Sequence, residues 1–188
     1  MNPLETYIRE LHDIRSTRAA TPDTSYYGPL AALLNEIGKT LKPKVRFIIN
    51  LKNRGAGLPA GGLFTPHQFQ KAATEPLGGT IPARRVIEVK PASEDAWITA
   101  EGEQVSRYWG KYRQVLVTNL RDFLLVGQEA EGKQVKLEAF RLAPNEADFW
   151  REAAHPRRLA AIVLMEPALN ANYQQAKAHP YPWPNQEG

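Results

Sequence analysis

Four short runs of apolar and β-branched residues constrain this fold most: VRFIINL (Val45–Leu51), RVIEVK (Arg85–Lys90), QVLVTN (Gln114–Asn119) and FLLVGQ (Phe123–Gln128). Each is too short for a typical buried helix and is flanked by turn formers, so each reads as a strand. Helical patterns stand before, between and after them. From Pro3 to Arg18, Leu4, Tyr7, Ile8, Leu11 and Ile14 recur at spacings of three and four, the stripe of an amphipathic helix. The stretch TPDTSYYGPL breaks that helix and starts another, with Asp23, Thr24 or Ser25 able to cap it. Leu30, Leu33, Leu34, Ile37 and Leu41 line this second helix, which should end near Gly38 and Pro43.

The remaining segments fill in the order. NRGAGLPAGGLFT carries four glycines in one turn-rich stretch, with Leu63–Thr65 as a short strand at its end. Pro66–Pro82 reads as an irregular insertion with one helical turn at HQFQKA. A helix is expected from about Thr99 to Tyr112, an edge strand over Val135–Leu142, and closing helices over Glu146–Ala154 and Arg157–Gln175. Helices first, then strands, a crossing helix and more strands point to a mixed α/β domain with a central sheet flanked by helices. The expected domain spans residues 1–178, and the proline-rich stretch 179–188 reads as an extended linker.

Composition removes several function classes. A chain of 188 residues suits one domain, and with no cysteine it has no disulfide, thiol nucleophile or thiolate metal site. The four histidines are scattered without zinc-type spacing, and neither a Walker loop nor a dinucleotide-binding glycine fingerprint is present. No apolar run approaches the roughly 18 residues of a membrane span, and the first residues lack a signal-peptide core, so a cytoplasmic location is expected. A net charge of +4 points only weakly to an anionic partner.

The chemistry concentrates at Glu88 and Lys90. Residues two apart on a strand share a face, so this carboxylate and ammonium lie side by side, with Val86, while Ile87 and Val89 face the other way. A carboxylate can hold a hard divalent cation, and a neighbouring lysine can orient a water or stabilise charge at phosphorus. Glu-x-Lys also occurs in many strands as a plain solvent-facing pair. Downstream, Gln104 and Tyr108 stand four apart on one face of the expected helix, as a partly buried surface pair also would.

Taken together these blocks resemble the PD-(D/E)xK nuclease domain at the N-terminus of large single-polypeptide restriction–modification enzymes, in which a nuclease is joined to an adenine methyltransferase with or without a helicase-like motor. TPDTSYYGPLAALLNEIG resembles the family's opening helix, and GLPAGGLFT stands where the family has Gly-x-Pro-Asp. VIEVKP matches its Glu-x-Lys strand; GEQVSRYWGKYRQVLVTNLRDFLLV matches its Gln-x-x-x-Tyr helix, strand, Thr-Asn turn and next strand. The resemblance implies a restriction-endonuclease-like mixed sheet and a Mg²⁺-dependent (or Mn²⁺-dependent) DNA endonuclease. It further implies that Glu88, the backbone carbonyl of Val89 and an aspartate at position 60 hold the metal. Lys90 would then poise the attacking water, and Gln104 and Tyr108 would orient the site or contact the strand. Asp23 matches the family's helix-1 acid, although a plain N-cap is an equal reading. Glu36 is better read as a solvated helix residue.

The sequence departs from the family at Ala60, where the metal-binding aspartate belongs. A methyl group offers no oxygen, and Gly61 and Gly62 cannot replace it. The chain is therefore expected to be catalytically defective. The retention of Glu88, Lys90, Gln104 and Tyr108 favours a deliberate aspartate-to-alanine replacement over gradual decay. The gap from Ala60 to Glu88 is also longer than the family's usual hairpin. Among basic residues near these blocks, Arg54, Arg84, Arg85, Arg107 and Lys111 are the candidate contacts for double-stranded DNA, with Lys52 and Arg113 beside them, although a solvated surface would look the same. Trp97 and Trp109 read as packing residues. The implied partners are DNA, methyltransferase/specificity and possibly motor domains of a parent polypeptide, and a transient nuclease-domain dimer on DNA. Competing readings are a natural pseudo-nuclease serving as a DNA-binding or assembly module, and a small-molecule-binding α/β domain.

Overall fold

The computed structural model describes residues 2–52, 55–71, 82 and 85–162. Six strands form one sheet in chain order: β1 (Arg46–Ile49), β2 (Gly61–Phe64), β3 (Arg85–Val89), β4 (Val115–Thr118), β5 (Asp122–Gln128) and β6 (Gln134–Arg141). All neighbours are antiparallel except β3 and β4, which run parallel, so the sheet is mixed. A parallel pair needs a crossover, and the helices α4 (Ala96–Glu101) and α5 (Glu103–Tyr112) supply it. The other helices are α1 (Pro3–Ser16), α2 (Tyr27–Gly38), α3 (Pro66–Lys71) and α6 (Glu146–Ala153). The mixed α/β architecture is as expected, and the three strands from Arg85 to Gln128 are contiguous.

Side-chain alternation divides the core into two layers. On one side Tyr7, Ile8 and Leu11 of α1, Leu30 and Leu33 of α2, and Phe149 of α6 pack with Phe47, Leu63, Ile87 and Val89. On the other, Ala96 and Ala100 of α4 and Val105, Tyr108 and Tyr112 of α5 pack with Val86, Val115, Val117, Leu124 and Val126. Val86 and Ile87 thus enter opposite layers, the period-two pattern read from RVIEVK. Full burial of each such aliphatic side chain contributes roughly 1.5–3 kcal/mol.

One expectation is corrected. The helix placed over Thr99–Tyr112 is two helices and begins earlier. Asp95 caps α4, its carboxylate accepting from the Trp97 and Ile98 amides at 2.7 and 3.2 Å, so helix starts at Ala96. Gly102 then adopts extended backbone (ψ 156°) and ends it before α5 begins. β6 is the expected edge strand; its Lys136 and Glu138 blunt the open edge. The helical turn at HQFQKA is α3, while residues 72–81 and 83–84 of the insertion lie outside the described residues. So do residues 163–188, which include most of the last expected helix and the 179–188 segment. No described helix is long and apolar enough to cross a membrane.

The glycine pair before the site is required by close packing. A β-carbon on Gly61 would fall on the Phe47 ring and come 2.6 Å from the Ile48 carbonyl oxygen; one on Gly62 would sit 2.6 Å from Pro82 Cγ. Overpacking of this kind costs about 1–3 kcal/mol. Gly61→Ala is accordingly expected to lower the melting temperature by several degrees, and an unchanged thermal unfolding curve would refute the close packing.

Candidate functional site

β3 carries Glu88 and Lys90 to the end of the sheet. Glu88 is buried, 4% exposed, and its Oε1 lies 3.0 Å from Lys90 Nζ, whose side chain is 28% exposed. The Lys90 amide donates to the Thr118 carbonyl at 2.8 Å, which extends the β3–β4 ladder one residue and fixes where the lysine leaves the backbone. Burial pushes the Glu88 carboxyl above its ordinary pKa, against the hydrogen bond and charge of Lys90; Glu94 and Asp23 push it further up. For Lys90, burial acts to lower the pKa, but the hydrogen bond and charge of Glu88 outweigh it and the net shift is upward.

A carboxyl whose folded pKa exceeds its unfolded value holds more protons when folded, so its contribution to stability falls as pH rises through that interval. Burial of the Glu88 charge therefore opposes folding at neutral pH, while the upward-shifted Lys90 contributes stability there through the same pair. Glu88→Gln is expected to raise the melting temperature at pH 7, with the gain shrinking as pH approaches the unfolded carboxyl's value. A melting temperature that drops at neutral pH would show that the Lys90 pairing outweighs the burial cost.

Ala60 approaches from β2. The β2–β3 ladder ends with Gly61 paired to Ile87; Ala60 lies just before it and packs in the core layer of Ile87 and Val89. The Asn50 amide donates to the Ala60 carbonyl at 2.8 Å, and Ala60 is buried. The loop before it lies against α5: at Gly57, where φ is +115°, an added β-carbon would lie 3.2 Å from Tyr108 Cε1 and 3.3 Å from its hydroxyl. Only glycine tolerates both this backbone and this proximity. Tyr108 is fully buried, and its hydroxyl accepts from Gln104 Nε2 at 2.9 Å. The charges of Glu88 and Lys90 both reach Tyr108, whose pKa is raised chiefly by burial.

The structure thus links Glu88, Lys90, Gln104 and Tyr108, with Val89 in the β3 ladder between the charged pair and Ala60 just before the neighbouring strand β2. Asp23 caps the 3₁₀ turn Thr24–Tyr26, accepting from the Thr24 amide at 2.7 Å, and its charge also acts on Glu88. Sequence reasoning missed two neighbours. Tyr27, at the start of α2, has its pKa pushed up to about 12 by burial and by the charges of Asp23, Glu88 and Tyr108. Glu94, in the turn after Lys90, acts on both Glu88 and Lys90. No spacing in the sequence links these residues; helix packing and a turn bring them in.

The basic candidates scatter. Arg107 is exposed and lies 3.8 Å from Glu103; Lys111 Nζ lies 5.9 Å from the Tyr112 ring centroid and beside the Gly55 loop. Arg85 opens β3 half-buried, and Arg54 and Arg84 lie outside the described residues. Arg113 stacks on Trp109 at 5.1 Å and Arg141 on Trp97 at 4.0 Å, packing roles for both indoles. Glu36 is a surface residue paired with Lys39 at 2.5 Å.

A divalent cation of the magnesium type needs several oxygen donors, usually with more than one carboxylate. Here Glu88 is engaged by Lys90, Ala60 offers a methyl group, and Asp23 is spent on its cap. Among the described residues no group of three histidine or acidic side chains is placed to hold a metal ion. As printed, the donor set does not fit such a cation.

No protein-family model and no curated protein matches the sequence. Among solved structures, the chain is similar to one described as a cryo-EM structure of a DrdV–DNA complex, at 14% sequence identity and a TM-score of 0.52. The likeness covers 80% of this chain but only 13% of that one, and it is a likeness of fold.

Proposed function

We propose that this chain is a DNA-binding, nuclease-like domain of the PD-(D/E)xK kind whose hydrolytic centre is incomplete at Ala60. The observation that carries this reading is buried Glu88 paired with Lys90 at the end of β3, with Ala60 just before the neighbouring strand and Tyr108 and the Gly57 loop alongside. The similar fold sits in a complex with DNA and makes up a small part of a longer chain, which supports a DNA ligand and a larger parent protein. Methyltransferase/specificity and motor domains, and transient pairing of two nuclease domains on DNA, belong to the same proposal.

In this reading Lys90 Nζ, held by Glu88, faces the phosphorus and orients the attacking water. Gln104 fixes the Tyr108 hydroxyl as a wall of the cleft. With a carboxylate at position 60, Mg²⁺ or Mn²⁺ would supply charge neutralisation at the phosphate. The alternative, a natural pseudo-nuclease acting as a binding or assembly module, draws support from the closed Glu88–Lys90 pair, which leaves little net charge in the site. Two measurements test the proposal: duplex binding by the chain as printed, and plasmid cleavage in Mg²⁺ by Ala60→Asp. Absence of both sinks it, while binding without recovered cleavage selects the module.

A further inference from the structure

We propose that a second cleft, beside the Glu88–Lys90 site, carries the DNA backbone away from it; this rests on the DNA-binding reading above. The cleft has a volume of about 680 Å³ and lies between the C-terminal end of α1, the segment leading into α2, the turn after β3, and α6. His12, Arg15, Arg18, Tyr26, Ser93 and Trp150 are among the residues that line it.

Position ties the cleft to the site twice. Pro91, Ala92 and Ser93 of its wall follow directly on Lys90, and Pro22 and Tyr26 flank Asp23, whose charge reaches Glu88.

The wall's chemistry suits a polyanion. Arg15 is held but wet: its guanidinium lies 4.3 Å from the Trp150 ring centroid and 3.5 Å from Glu146 Oε1, while its side chain stays 48% exposed. A planar fork fixed in this way offers donors to phosphate at reduced entropic cost. Glu146 is the acid that opposes an anion here, but the same oxygen also accepts from Trp150 Nε1 at 3.1 Å, so its charge serves to anchor Arg15 and Trp150. Asp13, 3.9 Å from His12, offsets part of that imidazole's charge when it is protonated. Arg18 is exposed and, among the described residues, has no ion-pair partner. Small-ligand pockets are typically enclosed and apolar, whereas an open polar cleft suits an extended backbone.

The test is fluorescence anisotropy of a short labelled duplex of mixed sequence, titrated with the whole chain at several salt concentrations. Arg18→Glu with Ser93→Glu puts negative charge at two positions that line the cleft; Lys133→Glu, in the β5–β6 turn, matches the sign of the change. Lys111→Glu reports on the α5 side of the site. The double variant is expected to bind roughly tenfold more weakly, with the slope of log K against log salt flatter by about one, while Lys133→Glu changes little. Equal affinities and slopes for the double variant and Lys133→Glu would overturn the cleft assignment. If Lys111→Glu weakens binding and the cleft variants do not, the cleft falls and the DNA-binding reading stands. If the unaltered chain binds no duplex, both fall. Should the double variant melt early, Ser93→Glu, which removes no recorded contact, decides by the same criteria.

Discussion

In the nuclease-like reading proposed above, Ala60→Asp is expected to nick or linearise plasmid DNA in Mg²⁺ where the parent chain does not. The gain should be at least about a hundredfold, because a bound metal contributes several kcal/mol of transition-state charge stabilisation and each 1.36 kcal/mol is a factor of ten. The new carboxylate would stand just before β2, the strand beside the one that carries Glu88, and a hard cation of this type is commonly held by one or two carboxylates. In that background Lys90→Ala should remove most of the gained activity, since a positioned group of this kind contributes about 10²–10⁴-fold.

The same variant carries a readout independent of cleavage. Without metal, a second carboxylate beside a buried Glu88 adds like-charge repulsion and should lower the melting temperature below that of the parent. Added Mg²⁺ should recover it, because a ligand that binds only the folded state stabilises it by mass action. The Ala60 chain should show no comparable rise. If Mg²⁺ leaves the melting temperature of Ala60→Asp where it was, position 60 does not share a cation with Glu88, and any nicking observed would belong to a contaminant.

Much of this site was legible because strand chemistry is local. RVIEVK alternates strictly, so the common face of Glu88 and Lys90 followed from the pleat, and the packing of Val86 and Ile87 into opposite layers bears that out. Asp23 was legible as a cap. That its charge also acts on Glu88 depends on α2 packing across β3 and β1, which no local pattern reports. Tyr27 and Glu94 were invisible for the same reason. The break at Gly102 was hidden by good helix formers on both sides; it shows only in that residue's extended backbone and in Asp95, a cap whose position moves the helix start to Ala96. The basic residues were the least legible, because sequence counts charges but does not say which of them a neighbouring acid or indole already holds.

Asp122→Ala is expected to be the most destabilising single change, by about 3–5 kcal/mol, because it strands two guanidinium groups around a vacated buried site. Asp122 is fully buried at the start of β5. Its Oδ1 lies 2.6 Å from Arg141 Nε, and its Oδ2 lies 2.8 Å from an Arg121 terminal nitrogen and 3.0 Å from Asn119 Nδ2. Burial pushes its pKa up, while the Arg141 hydrogen bond and both arginine charges pull it down. The cluster also holds the turn that follows Lys90: Arg121 Nε donates to the Ala92 carbonyl at 3.2 Å, and Asn119 Nδ2 to that of Glu94 at 2.8 Å. At about 2–4 °C per kcal/mol for a chain of this size, the melting temperature should fall by roughly 6–20 °C. Amide exchange at Glu94 and Asp95 should accelerate beyond what that global loss explains, since the turn loses its two anchors. Lys133→Ala, which breaks an exposed pair with Glu131, should cost less than about 1 kcal/mol by comparison. A melting temperature for Asp122→Ala close to that of Lys133→Ala would mean that the arginines find other partners and that the Lys90 turn is held by packing alone.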